Sequence, residues 1–297
     1  QAFTRERIDP ARLALDTIED KRSRQQFVGA VGWSSRVFRT SLTSRTYGGN
    51  AKYTAVTGRV ALDHRVGAIA ALAEWRGTDS SSVGEVAARF SPVSFLSVAA
   101  VASMRRQPDG SETENVMSAR GEIGLRLGQV WLTGGAITID SVHVVPPIVF
   151  DSTFVASDEG RSRALFGGAR GRVWRAIHAD VFAFRWERQG SYRPQVQVRS
   201  EIYLRTRWLR KFPSGQFGAL ISVRHDYRDG ISFQRSTGPS VALSSHQLSS
   251  LLEIRLVDAV LFWRQRYTIG QRVTELVPGY PLPRQTTLYG VRWDFWN

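Results

Sequence analysis

The sequence predicts an all-β chain: a transmembrane antiparallel β-barrel of about 14 strands, with a short N-terminal helical segment. Three observations carry that expectation: long segments in which polar and apolar residues alternate, connectors that are short and long by turns, and Trp and Tyr gathered within or near segment ends. Hydrophobic residues make up 42% and charged residues 22% of the 297, which is not a disordered composition. The chain has 0 cysteines, which excludes a disulfide framework, a thiolate metal site and a Cys nucleophile. No segment offers the run of about 20 mostly apolar residues that a spanning helix needs. The chain opens on Gln1; a removed secretory signal is one reading of that start, and an expression origin is another.

The clearest strand signal is 195–208. Val196, Val198, Ser200, Ile202, Leu204, Thr206 and Trp208 share one face; Gln195, Gln197, Arg199, Glu201, Tyr203, Arg205 and Arg207 share the other. That is the period of a strand, not of a helix. Segment 214–228 repeats it, with Phe217, Ala219, Ile221, Val223 and Tyr227 opposite Gln216, Ser222, Arg224, Asp226 and Arg228. In 246–256, Leu248, Leu252, Ile254 and Leu256 oppose Gln247, Ser249, Glu253 and Arg255. In 118–127, Ala119, Ile123, Leu125 and Leu127 oppose Arg120, Glu122 and Arg126. Soluble sandwiches alternate too, but their strands average about 5–6 residues, whereas a tilted strand crosses a bilayer in about 9–11. Only a closed barrel leaves no unpaired strand edge in lipid.

In chain order, strands are expected at 27–41, 51–63, 66–78, 83–90, 93–106, 114–127, 129–140, 160–173, 176–188, 195–209, 214–228, 246–256, 258–270 and 285–297. Short connectors fall at His64-Arg65, Ser91-Pro92, Gly128, Trp174-Arg175, Arg210 to Pro213 and Val257. Long ones fall at 42–50, 79–82, 107–113, 141–159, 189–194, 229–245 and 271–284. An even strand number would put both ends of the wall on the short-turn side, the periplasmic side of an outer membrane. Segment 66–78 is nearly apolar on both faces. Segment 176–188 has an ambiguous register, because Phe182, Phe184 and Trp186 share a face with His178 and Asp180. Trp33, Trp75, Trp131, Trp186, Trp208, Trp263, Trp293 and Tyr289 suit interfacial girdles. Residues 1–26 form an arm. In it, Asp9-Pro10 can start a short charged helix over Ala11 to Arg24, in the barrel mouth or the periplasm; a solvated arm is the other reading. The barrel takes 27–297.

No catalytic set emerges, so an enzyme is not expected, nor a cofactor. His64, His143, His178, His225 and His246 give no pair at metal-ligand spacing on one element, so no metal site is expected. Phosphate-loop motifs are absent. Gly167, Gly168 and Gly171 lie inside an expected strand, where glycine more often permits close packing. What remains is arginine. The formal net charge is +14, and inward positions are rich in Arg, including Arg59, Arg120, Arg126, Arg170, Arg172 and Arg255. The expected anion-facing lumen residues are Arg199, Arg205, Arg207, Arg224, Arg228, Arg264 and Arg292. Inward acids are fewer: Asp63, Glu122, Glu201, Asp226, Glu253 and Asp294. Such a lumen favours anions; inward Arg–carboxylate ladders that merely hold a narrow barrel shut are the alternative. The basic residues alternate along strands instead of clustering on one helix or loop, so nucleic acid is not an expected partner.

Residues 277–297, VPGYPLPRQTTLYGVRWDFWN, place Tyr289, Val291, Trp293 and Phe295 on one face of a terminal aromatic strand, opposite Gly290, Arg292 and Asp294. This resembles the C-terminal end of TonB-dependent outer-membrane receptors. The preceding LSSLLEIRLVDAVLFWRQRYTIGQRVTELVPGYP is similar to their penultimate hairpin, with Arg266-Tyr267-Thr268 where that family usually carries Asn-Leu. The resemblance covers about 50 residues. It implies outer-membrane residence in a Gram-negative-type bacterium, contact with lipid and lipopolysaccharide, and recognition of the last strand by assembly machinery. The family's wall has about 22 strands around a plug; this chain offers about 14 and no plug, so energised uptake does not follow. Passage or binding of a small polar or anionic solute is the leading expectation. A non-conducting barrel anchoring a protein partner, and a truncated nutrient or siderophore receptor, are the alternatives.

Overall fold

The computed structural model describes residues 2–4, 25–47, 53–77, 81–109, 112–144, 146, 151–209, 211–269 and 274–293. Its strands are β1 (Ala2–Thr4), β2 (Gln25–Ser34), β3 (Phe38–Tyr47), β4 (Tyr53–His64), β5 (Gly67–Arg76), β6 (Ser82–Val93), β7 (Leu96–Asp109), β8 (Glu112–Leu127), β9 (Val130–Ile139), β10 (Val142–Val144) and β11 (Ser157–Glu159). They continue as β12 (Ser162–Trp174), β13 (Ile177–Trp186), β14 (Val196–Thr206), β15 (Phe217–Arg228), β16 (Ile231–Phe233), β17 (Ser240–Ala242), β18 (Ser245–Leu256), β19 (Ala259–Ile269), β20 (Thr274–Val277), β21 (Tyr280–Leu282) and β22 (Gln285–Trp293). The described residues are all-β, and among them the wall is one large antiparallel sheet of 15 strands, to which the three-residue β1 adds a short edge. Six short strands stand apart as the pairs β10–β11, β16–β17 and β20–β21. Chain contacts divide the molecule into two compact units: Gln1–Ile123 with Ile137–Ser152 and Gly160–Ser162, and Gly124–Ala136 with Thr153–Glu159 and Arg163–Asn297.

Four expectations are corrected. The segment expected as one strand, 27–41, is a hairpin, β2 and β3, because Ser35 makes a tight turn: its hydroxyl accepts from the Phe38 N–H at 3.0 Å. The wall therefore has 15 strands instead of 14, and β2 begins at the long-connector end. The expectation that both wall ends lie at short turns fails for that strand. The turn expected at Ser91-Pro92 sits at Ser94-Phe95. Pro92 stays inside β6 because the ladder breaks register between Phe90 and Val93, where a missing N–H costs no bond. Among the described residues no ladder joins β22 to β1 or β2. The helix expected over Ala11 to Arg24 lies outside the described residues.

Within the second unit the alternation holds strand by strand. Leu204 pairs with Ile221, and Ile221 with Leu252, on one face; Arg199 pairs with Asp226, and Asp226 with Gln247, on the other. The ambiguous β13 is settled by its ladder. Phe182 pairs with Arg199 and Phe184 with Gln197, so its aromatics lie on the polar face. Trp186 is accordingly not a girdle residue: the Arg193 guanidinium lies over its ring at 3.7 Å. The apolar face is bare in each unit. In the second, Tyr289 is 77% exposed, Leu165 67% and Ile202 59%; in the first, Val31 is 69% exposed. Soluble monomers rarely leave so many large apolar side chains bare.

The buried core sits largely at the long-connector end. Phe154, Ile231, Phe233 and Ala242 are buried there, with Ser191 and Ser245. The Phe154 and Phe233 rings lie 5.7 Å apart, and Tyr192 meets Phe233 edge-on at 5.6 Å. The Tyr192 hydroxyl donates to the Gln234 carbonyl at 2.9 Å and also to that of Val155. Arg193 pairs with Glu159 at 2.9 Å, and Arg235 donates to the Pro278 carbonyl at 2.7 Å. These bonds knit residues 153–159, 187–195, 229–244 and 274–284 into one layer, whereas loops of similar length are usually mobile.

Candidate anion-binding site

Rows of paired residues run across the polar face of β13, β14, β15, β18 and β19. Nearest the long connectors the row is Phe184, Gln197, Arg228, Ser245; the next is Phe182, Arg199, Asp226, Gln247, Thr268. Below these come Asp180, Glu201, Arg224, Ser249, Arg266, and then His178, Tyr203, Ser222, Leu251, Arg264. Side chains of one parity in adjacent antiparallel strands share a face, so five strands contribute to this surface.

Part of this surface is a cavity of ≈ 370 Å³. Five guanidinium groups line it, those of Arg199, Arg224, Arg228, Arg264 and Arg266, against two carboxylates, Glu201 and Asp226. Hydroxyls and amides supply the rest: Ser222, Ser245, Ser249, Ser250, Gln197 and Gln247, with Tyr227 and Leu251. Asp226 is fully engaged. Its carboxylate accepts from Arg199 Nε at 3.0 Å and from Arg224 Nε and Nη2 at 2.6 and 3.0 Å. Arg228 is held at the connector end, where its Nε donates to Ser245 Oγ at 2.8 Å and its Nη2 to the Glu275 carbonyl at 2.5 Å. Arg264 and Arg266 make no ion pair among the described residues, so their charge faces the cavity uncompensated. Guanidinium forks suit planar or tetrahedral oxyanions, which accept two parallel N–H bonds.

Of the arginines expected to face the lumen, Arg199, Arg224, Arg228 and Arg264 line this cavity. Arg205 shares the polar face but lies nearer the short turns, paired with Leu220. Arg292 pairs with Val260, also away from the cavity. Arg207 lies past the end of β14, in the connector to β15. Arg266 was missed, although its parity with Arg264 would have placed it; Gln197, Ser222, Gln247 and Ser249 were placed on the polar face without being singled out as site residues. Of the other inward arginines, Arg120 pairs with Glu122 on its own strand at 2.6 Å, Arg170 pairs with Asp180 across the ladder at 3.3 Å, and Arg126 donates to the Gly128 carbonyl at 3.1 Å. Among the described residues no group of three His, Asp or Glu side chains could hold a metal ion.

No family model matches the sequence, and no curated protein matches it. Among solved structures the chain is similar in fold to BauA, the ferric preacinetobactin receptor from Acinetobacter baumannii, with a TM-score of 0.53 at 9% identity. The match covers 92% of this chain and 51% of that one, so this chain spans about half the length of the receptor. The similarity shows a shared fold, a large antiparallel β-sheet wall.

Proposed function

We propose that this chain closes into an outer-membrane β-barrel whose polar face is the lumen and whose cavity binds small anionic solutes, holding them or letting them pass. The observation that carries the proposal is the row structure around Arg199, Arg224, Arg228, Arg264 and Arg266, which collects a formal surplus of positive charge over Glu201 and Asp226 in one cavity. A bare apolar face supports membrane residence, because it has no other solvent-free partner in a single chain. Lipid and lipopolysaccharide would cover that face, and β22 would present Tyr289, Val291 and Trp293 to the assembly machinery. The receptor-like fold supports an outer-membrane wall; it does not name the solute.

Inorganic phosphate, titrated into the folded chain in detergent micelles, tests the site. Arg264→Gln with Arg266→Gln should weaken phosphate binding by about tenfold or more, each lost charge-assisted bond contributing about 1.5–3 kcal/mol before solvent screening. Unchanged binding in that variant would contradict the assignment.

The interlocked connector layer favours a second reading. The packed rings of Phe154, Tyr192 and Phe233 stiffen that layer from within, as a platform for a partner protein would require. In that case the arginines serve only to hold the wall together, and phosphate does not bind.

A further inference from the structure

The histidines, unpromising in the sequence, are brought together by the ladder between β15 and β18. His225 pairs with Leu248 and His246 with Tyr227, one step apart on the apolar face. The imidazole rings stack at 5.4 Å with an interplanar angle of 21°, and His225 Nε2 lies 3.2 Å from His246 Nδ1. No other side chain on that face of β15 or β18 carries a nitrogen. Both residues lie toward the long-connector end of their strands, and His246 is exposed.

The geometry points to a two-histidine site for a divalent transition ion, copper or zinc in class, on the outer surface of the wall. Two metal–nitrogen bonds of about 2.0–2.1 Å at a tetrahedral angle set their nitrogens about 3.3 Å apart. The observed spacing therefore needs almost no movement. The same nitrogens now share one proton as a hydrogen bond. Ligation requires both lone pairs, so that proton shifts to the far side of its ring, leaving Nδ1–H on His225 and Nε2–H on His246. No net proton is lost, and the remaining coordination positions are filled by water. Imidazole suits copper and zinc, whereas magnesium and calcium prefer oxygen ligands. The Tyr227 ring, 4.7 Å from His246, walls one side of the pair and limits its rotation.

The two imidazoles lie on the opposite face of the ladder from the arginines, and neither lines the cavity. Its test uses the untagged full chain folded in detergent micelles, with copper(II) as the probe and electron paramagnetic resonance as the readout. The wild type should take one equivalent of copper with couplings from two nitrogens. His225→Gln and His246→Gln should each reduce the affinity about tenfold or more and leave one nitrogen. Heat-modifiability on gels checks that each variant is folded; if a glutamine variant is not, the corresponding alanine variant serves. A wild-type spectrum with one coupled nitrogen, or affinity equal to that of the folded double variant, would overturn the assignment.

Discussion

Asp226 decides how much positive charge the cavity shows. It accepts hydrogen bonds from both Arg199 and Arg224, so it neutralises part of the charge and fixes two side chains in place. Arg264 and Arg266 have no such acid. Asp226→Asn should therefore raise phosphate affinity while lowering stability in urea by about 1 kcal/mol, a modest figure because both arginines are partly solvated. Weaker phosphate binding in a folded Asp226→Asn would mean that Asp226 acts chiefly by orienting the arginines. Parity in the sequence was enough to put Arg199, Arg224, Arg228 and Arg264 on one face. It was not enough to exclude Arg205, Arg207 and Arg292, because position along the strand relative to the neighbours depends on register. That register is set by turns whose length the sequence leaves loose. Arg266 was missed for a related reason: only the ladder of β19 on β18 sets it beside Ser249.

At the scale of the element, the ladder pairs Leu204 with Ile221 on the face proposed to meet lipid. Leu204→Arg or Ile221→Arg should cost about 2–4 kcal/mol of folding into bilayers, measured by reversible urea titration in lipid vesicles. Wild-type stability for either would place that hairpin's faces the other way round. The short turns were legible where Gly or polar pairs mark them. Ser35 was overlooked because its turn interrupts a run that alternates well on both sides, and Pro92 misled because a bulge can house a proline. The connector layer was not legible at all. Its bonds join segments far apart in sequence, as when Tyr192 reaches Gln234. Burial pushes the Tyr192 phenol above its ordinary value. Its folded pKa then exceeds the unfolded one near 10, so the contribution of Tyr192 is whole below that pH and is lost as pH rises towards the folded value. Hydrogen exchange of residues 229–244 should accelerate above about pH 10, and Tyr192→Phe should flatten that dependence. An unaltered dependence in the variant would assign it to another group.

For the whole molecule, the strand alternation and the bare apolar face express one fact: nearly every wall strand is written for two solvents. That was the most legible property of the sequence, because a period of two survives errors of a few residues in strand boundaries. Strand number was less so; one missed turn changed 14 to 15. What the wall does depends on whether the polar face encloses water. The most direct measurement is the reversal potential of the purified chain in a planar bilayer under a salt gradient. Passage of anions through the lumen predicts steady, anion-selective conductance that is weakened or reversed by Arg264→Glu with Arg266→Glu. Cation selectivity in the wild type, or silence in both forms, would contradict it.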